Sequence, residues 1–566
     1  MHPPRPPRRC PFFAVPAVAL LLLAGPPAVG GQEPILLRDV TAETGIAFEH
    51  TAGGSGERYI VEFVSTGLAT FDYDGDGLID VYFLNGAPLR GTEFDPASPP
   101  SNRLYRNNGD GTFTDVTEEA GVGDTGYGLG VVVGDYNNNG LTDIYVNNFG
   151  GNVLYRNNGD GTFTDVTRQA GVGNGHRVGA GAAFLDIDGD GTVDLYASNY
   201  LIFCYDRHDA ITRRGVLVSG PIDYQPDPDT LFRNNGDGTF TDVSVASGIA
   251  RHAGTGMGMV CADFTKDGHT DVFIANDTMA NFLFLNDGFG HFEEVGLLTG
   301  TAYNFAGMQQ GNMGVDCGDF DNDGWLDLAT TNYVDEAPVL YRNAGDGFFD
   351  DVTVRTGAGR SAVRDVTWGV GLVDFNNTGH RDLFIACGNL TAIVEELNEF
   401  LPYAVPNVLM MNDGQGRFVD VTASSGDGLA VVAVSRGAAF DDLSNNGRID
   451  AVVVNKDGPP TILRNESPAE HHWIQVELEG VRANRGGVGA QVTVVAGDLT
   501  QLAEVHAGRG YQSHYGSRLH FGLGHRDRID RIEVRWVGGG VDVFENPPVD
   551  RRIQLREGRG MGKGEG

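Results

Sequence analysis

Past its first thirty residues the chain has no apolar run long enough to cross a bilayer, so no membrane helix is expected. Basic residues are scarce, with 40 Lys and Arg against 76 Asp and Glu and a formal net charge of −36. A nucleic-acid partner, which needs a basic face, is not expected. Cysteines are few as well. Cys10 lies in the N-terminal segment, and Cys204, Cys261, Cys317 and Cys387 do not amount to a disulfide framework in a chain of 566 residues. No CxxC pair or Cys/His cluster suggests zinc. HExxH, GxSxG, a phosphate-binding loop and a GxGxxG in a βαβ setting are all missing. Six of the fourteen histidines (His471, His472, His506, His514, His520 and His525) fall near the C-terminus, without a catalytic spacing.

Glycine, by contrast, is abundant, at 83 residues with no G-X-Y period. Collagen is excluded, and a hydrophobic fraction of 41% is too high for a disordered chain, which leaves a fold rich in tight turns. The length allows more than one domain. The N-terminus reads as an export signal over 1–31: basic "MHPPRPPRR", apolar "FFAVPAVALLLLAG", then small residues with cleavage near Gly30 or Gly31. A Sec-type signal is favoured over a twin-arginine one at Arg8-Arg9. The protein is therefore expected outside the cytoplasm, whether secreted, periplasmic or on the cell surface.

The stretch "FDYDGDGLIDVYF", 71–83, opens like an EF-hand loop inside a run that otherwise reads as β-strand. It recurs with first aspartates at Asp72, Asp135, Asp186, Asp263, Asp319, Asp374 and Asp442. A second motif travels with it. "LYRNNGDGTFTDVT" occurs identically at 104–117 and 154–167, with variants at 231–244, 283–296, 340–353 and 409–422. An apolar run, an Asn/Asp-Gly turn and an alternating run are a hairpin signature. Each unit thus reads as four strands, and seven units predict an all-β, seven-bladed β-propeller over 35–467. The glycines of each first strand suit the crowded axis. Cys261 and Cys317 hold the same place in adjacent units and are expected in the core. The seventh unit lacks a fourth strand, whereas the mature chain begins with an orphan "LLRDVT". Residues 36–41 are therefore expected to pair with 461–466 and close the ring. Beyond 470 the repeats give way to alternating strands, a small β domain over 471–557, followed by a tail, 558–566, expected to be disordered.

A true EF-hand loop has a bidentate Glu at its twelfth place, where this one has Phe83. Oxygens at places 1, 3, 5 and 9, with Gly at 6, nonetheless suit a hard cation of Ca²⁺ size better than Mg²⁺. Loops 1, 3 and 5 carry four carboxylates each: Asp72, Asp74, Asp76 and Asp80; Asp186, Asp188, Asp190 and Asp194; Asp319, Asp321, Asp323 and Asp327. Their convergence predicts the strongest sites. Loop 2 has Asp135, Asn137, Asn139 and Asp143, and loop 4 has Asp263, Thr265, Asp267 and Asp271. Loop 6 (Asp374, Asn376, Thr378, Asp382) and loop 7 (Asp442, Ser444, Asn446, Asp450) keep two carboxylates each and are expected to bind weakly. The other reading of every such loop is an Asx turn without metal.

Strand–DxDxDG–strand loops joined to "NNGDGTFTDVT" hairpins resemble FG-GAP/VCBS repeats, the units of integrin α-subunit propellers. "NRGGVGAQVTV", "RGYQSHYGSRLHFGLG" and "DRIEVRWVGGGVDVFEN" resemble the ASPIC/UnbV domain, and the combination resembles the cartilage acidic protein-like family. The resemblance covers about 35–557 and implies a secreted Ca²⁺-binding propeller without an agreed enzymatic activity. Relatives often carry several cysteines in the third-blade loop, whereas 199–229 here holds only Cys204.

In a propeller the acidic loops share one face with the hairpin turns. The long loops 85–102, 199–229 and 387–407 fall on the other, where binding function usually lives. Tyr127, His176, Arg177, His252, Asn312, Trp368 and Arg436 enter their first strands on that face and are expected to line the channel mouth, or else to cap their own blades. The expected function is a monomeric binding or adhesion module for an extracellular protein or glycan. The competing class is a carbohydrate-active enzyme, lyase- or dehydratase-like, built on the same propeller.

Overall fold

The computed structural model describes residues 33–562 except 216, 346 and 398–400. The expected export signal over 1–31 lies outside the described residues. Seven antiparallel units of four strands follow one another along the chain. In the first, Leu68–Phe71, Asp80–Phe83, Arg103–Asn107 and Phe113–Asp115 pair in chain order. The seventh takes its fourth strand from the other end of the chain: Leu37–Asp39 pairs antiparallel with the 461–465 strand, Leu37 opposite Asn465. Units two and three merge into one larger sheet, because Arg177 and Val178 also pair with Gly150 and Phe149 at the end of a long neighbouring strand.

The first strands of the units are Leu68–Phe71, Tyr127–Gly134, Arg177–Leu185, Gly256–Ala262, Val315–Gly318, Thr367–Val373 and Ser435–Asp441. Each packs beside the next, and the last packs beside the first. Glycine is needed at this crowded centre. A Cβ on Gly130 would stand 1.9 Å from the Ala180 carbonyl oxygen of the neighbouring strand. Apolar side chains fill the space between successive sheets, as where Phe71, Tyr82 and Leu104 meet Val131, Ile144 and Val146. Cys261, Cys317 and Cys387 are buried free thiols, and Cys204 is exposed.

The C-terminal domain is a sandwich of two sheets. One is built on His472–Glu479, flanked by Leu519–Gly524 and, in parallel, Arg551–Arg556. The other runs Leu499–Glu504, Gln491–Ala496, Arg531–Arg535, Val541–Glu545 and Met561–Gly562. That last strand corrects the expected tail: Gly562 pairs with Asp542 and Met561 with Val543, so order extends past 557 because these amides complete a sheet edge. A second correction concerns "LAEVHAGRG". Its strand ends at Glu504, Val505 still bonds Gly489 and Ala490 of the domain, and the chain from His506 to Gly516 leaves it to run among the seven first strands of the repeat units.

Candidate functional site: the acidic loops and the axial segment

All seven acidic loops share one frame. The first-place aspartate directly follows the inner strand and gathers amides of its own loop: Asp72 accepts from Gly75 N and Gly77 N, both at 2.8 Å. The fourth place always has positive φ, from Gly75 (77°) through Asn138, Gly189, Lys266, Asn322 and Asn377 to Asn445 (51°). The ninth-place aspartate is buried and receives two amides, one from the second place and one from the hairpin. For Asp80 these are Tyr73 N at 3.0 Å and Asn107 N at 2.8 Å.

In loops 1, 3 and 5 the carboxylate oxygens of places 1, 3 and 9 gather within 4.8 Å of one another: Asp72/Asp74/Asp80, Asp186/Asp188/Asp194 and Asp319/Asp321/Asp327. The expected fourth member is a correction. Asp76, Asp190 and Asp323 stand outside these clusters, and each accepts the amide two residues on, from Leu78, Thr192 and Trp325. Burial, not bonding, dominates the ninth-place groups. It pushes the Asp80, Asp143, Asp194 and Asp450 carboxyls up to about 8, against the amides that pull them down. Asp319 is raised to about 7 and Asp186 and Asp374 to about 6 by the same cause. Arg233 pairs with Asp188 at 2.7 Å, and Arg342 with Asp321 at 2.7 Å and with Asp323. Among the described residues no Lys, Arg or His pairs with the four acids of loop 1.

Whether this donor set fits a cation can be asked of its third-place oxygens. Thr265 Oγ1, Asp321 Oδ1 and Asn376 Oδ1 are all buried without a hydrogen-bond partner, in three successive loops. An orphaned buried oxygen costs about 1–3 kcal/mol, so three at one equivalent place are not accidental. They leave a hard oxygen free at the same place of loops 4, 5 and 6, and such donors suit a divalent cation of the calcium type. Loop 6 is among them despite its two carboxylates.

The asparagine of each hairpin was read from sequence only as a turn residue, and it does more. Asn157 Nδ2 donates to Thr142 O in its own unit and to Tyr73 O in the unit before. Asn234, Asn286, Asn343, Asn412 and Asn465 repeat this on Tyr136, Ile187, Phe264, Phe320 and Phe375. Asn107 completes the circuit on Leu443 O, joining the first unit to the seventh at 2.7 Å. The available signal was the asparagine's invariance through all seven units, including the seventh, which lacks the turn.

Residues 505–516 touch every one of the seven inner strands. His514 exchanges hydrogen bonds with Leu68 and Thr70, and Val131 N donates to Gln512 O. Phe184 N donates to Ala507 O, Cys261 O lies 2.9 Å from His506 Nδ1, and Gly510 pairs with Val315 in both directions. Tyr515 OH donates to Val370 O, and Gly516 N to Asp441. A Cβ on Gly67 would meet Gln512 O at 1.7 Å. Arg509 forms a buried ion pair with Asp316, with Nε to Oδ1 at 2.6 Å. His514 Nδ1 accepts from Gly508 N, so its Nε2 carries the proton and donates to Ser517 Oγ. In that tautomer it is no base for the serine.

The far end is closed too. Tyr511 reaches Val64 O and packs edge-on against Trp368, whose indole donates to Gly388 O. Arg436 is fully buried. It lies over Trp368 and spends its guanidinium on the carbonyls of Phe63, Gly388, Ser435 and Asn389. Tyr127 donates to Ala52 O and Val61 O, and Asn312 is buried beside Asn276. Of the residues expected at an open mouth, these four are therefore buried: Tyr127, Trp368 and Arg436 pack against the segment around Ile60–Glu62, and Asn312 bonds the carbonyls of Asn276 and Gln310. His176 is exposed, His252 is half-buried against Phe282 and Phe284, and Arg177 pairs with Asp227.

Comparison with known proteins supplies the family. The FG-GAP-like repeat matches residues 72–146, 135–197, 216–274, 263–330 and 319–385, together just over half of the chain. The ASPIC and UnbV family matches 480–561. The chain is similar to cartilage acidic protein 1 of Homo sapiens, 24% identical over 84% of this chain and 60% of that protein. It is likewise similar to the Xenopus tropicalis protein, 25% identical over 84% and 61%. It thus spans about three-fifths of the length of these curated relatives. Among solved structures it is similar to an Agrocybe aegerita lectin described as recognising non-reducing terminal N-acetylglucosamine (TM-score 0.37, 19% identity, 64% of this chain and 82% of that one). It is also similar to the BP39L lectin of Burkholderia pseudomallei (TM-score 0.42, 12% identity, 71% and 95%). The chain belongs to the FG-GAP-like repeat family and carries a C-terminal ASPIC and UnbV domain.

Proposed function

We propose that the chain is an exported calcium-binding propeller of seven blades, closed by its own N-terminal strand, which serves as a binding and adhesion module for an extracellular protein or glycan. Two observations support the calcium reading: buried, partnerless third-place oxygens in loops 4, 5 and 6, and carboxylate clusters in loops 1, 3 and 5, of which the loop 1 cluster has no cationic partner among the described residues. Calcium would supply the positive charge that makes ionisation of the first- and ninth-place acids compatible with burial. In loops 1, 3 and 5, Asp72/Asp74/Asp80, Asp186/Asp188/Asp194 and Asp319/Asp321/Asp327 would hold it.

The axis, where a ring-shaped enzyme keeps its substrate pocket, is filled here by the chain's own residues 505–516, which favours a binding module over an enzyme. The long loops of the opposite face offer the recognition surface. They carry Phe94, Ile202, Leu217 and Ile222 in exposed positions, Ile222 at 88% exposure. Arg90 ties two of these loops together through Asp209, lying over the Tyr205 ring. Isothermal titration of the chelated protein with Ca²⁺, then an array of glycans and extracellular proteins, tests both parts. Heat-silent titrations would remove the calcium reading. Turnover of a polysaccharide would replace the adhesion reading with an enzymatic one.

A further inference from the structure

The C-terminal domain sits on the acidic-loop face, and it grips the loops at their fourth and sixth places. The Gly77 carbonyl, at place six of loop 1, accepts from Arg552 Nη1 at 2.7 Å and Arg518 Nη2 at 3.3 Å. In loop 2, Asn138 Oδ1 accepts from Arg485 N at 2.9 Å. In loop 3, Gly191 lies so close that a Cβ there would stand 2.2 Å from the Arg482 carbonyl. Lys266 O of loop 4 accepts from Arg535. Asn377 of loop 6 takes Gly524 N on its carbonyl and His520 on its side chain, and Asn445 of loop 7 accepts from Arg518 at 2.7 Å.

Four of the seven neighbouring loop pairs are also bonded to each other. Asn138 Nδ2 donates to Gly191 O, Asn322 to Gly379 O, Asn377 to Gly447 O and Asn445 to Gly77 O, each from a fourth place to the next loop's sixth. Loop 5, which the domain does not grip directly at these places, is thereby tied to loop 6. A change in the shape of one loop moves the very carbonyls and amides on which the C-terminal domain rests. The first- and third-place ligands immediately precede the fourth place, so a cation that sets them sets the platform.

We propose that the acidic loops form one cation-set platform, and that docking of the C-terminal domain, with residues 505–516 threaded through the axis, is linked to cation occupancy of those loops. The domain is then an intramolecular ligand of the ring. Its axial segment adds backbone hydrogen bonds to inner strands whose central edges are otherwise unpaired. Losing the cations loosens that segment and bares these edges to an extended peptide. This rests on the calcium reading above. Linkage is reciprocal, so undocking contacts must weaken cation binding by the same factor that cation loss weakens docking, on the order of fivefold or more.

The test uses the full chain. Ca²⁺ binding is measured by titration calorimetry, and amide exchange over 505–516 is followed by mass spectrometry with Ca²⁺ or with chelator at matched ionic strength. The expected result is that exchange in 505–516 speeds up at least fivefold on chelation, while the hairpin strands 113–115 and 163–165 change less. Arg552→Ala, which removes one surface contact on Gly77 O, should weaken the tightest Ca²⁺ step severalfold. Calcium binding with no change in 505–516 exchange, or an equal change in every peptide, would overturn the linkage and leave the calcium reading standing. Unaltered Ca²⁺ affinity in Arg552→Ala would overturn it at loop 1. No Ca²⁺ binding at all would overturn both.

Discussion

Replacing Asn107 with alanine tests the seven-membered asparagine circuit at the place where it joins the two ends of the ring. The Asn107 side chain is 2% exposed and makes three hydrogen bonds: Nδ2 to Ile79 O at 2.9 Å, Nδ2 to Leu443 O at 2.7 Å, and Oδ1 from Gly109 N at 2.9 Å. Gly109 stands at a solvated turn, where water replaces the lost partner at little cost. Ile79 and Leu443 are buried, so their carbonyls are orphaned at about 1–3 kcal/mol each, or roughly 2–6 kcal/mol together. Asn108→Ala is the control. That side chain is exposed and bonds only Thr112 and Thr114, so a change within about 0.5 kcal/mol is expected. Urea unfolding of both variants, monitored by tryptophan fluorescence in saturating Ca²⁺, gives the comparison. If the two midpoints coincide, the circuit does not hold the ring together and the reasoning fails.

Chelation should lower the melting temperature and Ca²⁺ should restore it better than Mg²⁺, with about 2.7 kcal/mol per site at a hundredfold excess over Kd; Asp188→Ala should cut this response more than Asn376→Ala. Arg509→Met should destabilise by about 3–5 kcal/mol because the buried Asp316 loses its counter-ion, and adding Asp316→Leu should recover only part of the loss in thermal melts, because the amides of Cys317 and Leu372 then lose their acceptor. Burial holds His50, His514 and His520 down to about 3, below the 6.5 of an unfolded chain. The unfolded state therefore takes up more protons between those values, and stability is full above about 6.5 and falls as pH drops toward 3, by up to about 1.4 kcal/mol per pH unit for each histidine. His514→Gln should flatten that slope in urea titrations between pH 6.5 and 4, and an unchanged slope would count against its buried neutral state.

The repeat units, their hairpins and the outer strand lent by Leu37–Asp39 were legible because each is a local pattern with a fixed period. A strand writes alternation, a turn writes Asn-Gly, and an acidic loop writes its ligands at set places. The ligand clusters were legible to the level of residue type, and their membership was not. Asp76 and Asp74 look alike in sequence, and each accepts the amide two residues on, from Leu78 and Asp76, but only Asp74 stands with Asp72 and Asp80. Asn376 illustrates the converse, an amide whose oxygen is as deeply orphaned as that of the acid Asp321. The axial path of 505–516 left no periodic trace, since its bonds go to seven separate strands and its glycines answer close approaches from remote parts of the chain. The burial of Tyr127, Trp368 and Arg436 escaped for the same reason. Their cover, Ile60–Glu62, lies far away in sequence and has no repeat of its own.

Leu37 pairs with Asn465, so the strand made first must wait for a partner made more than four hundred residues later. A chain emerging N-terminus first can form six complete four-stranded sheets and still hold two raw edges, one at each end of an open arc. Long-range pairings of this kind are slow to find. The segment that fills the centre is made later still, after the last sheet, and its donors and acceptors are spread over all seven inner strands. It finds its full set of partners only once all seven inner strands are in place. Assembly thus has an order written into it, sheets first, then the pairing of Leu37–Asp39 with 463–465, then the threading of 506–516, and a chain arrested before residue 465 is left with the edge of its first strand uncovered.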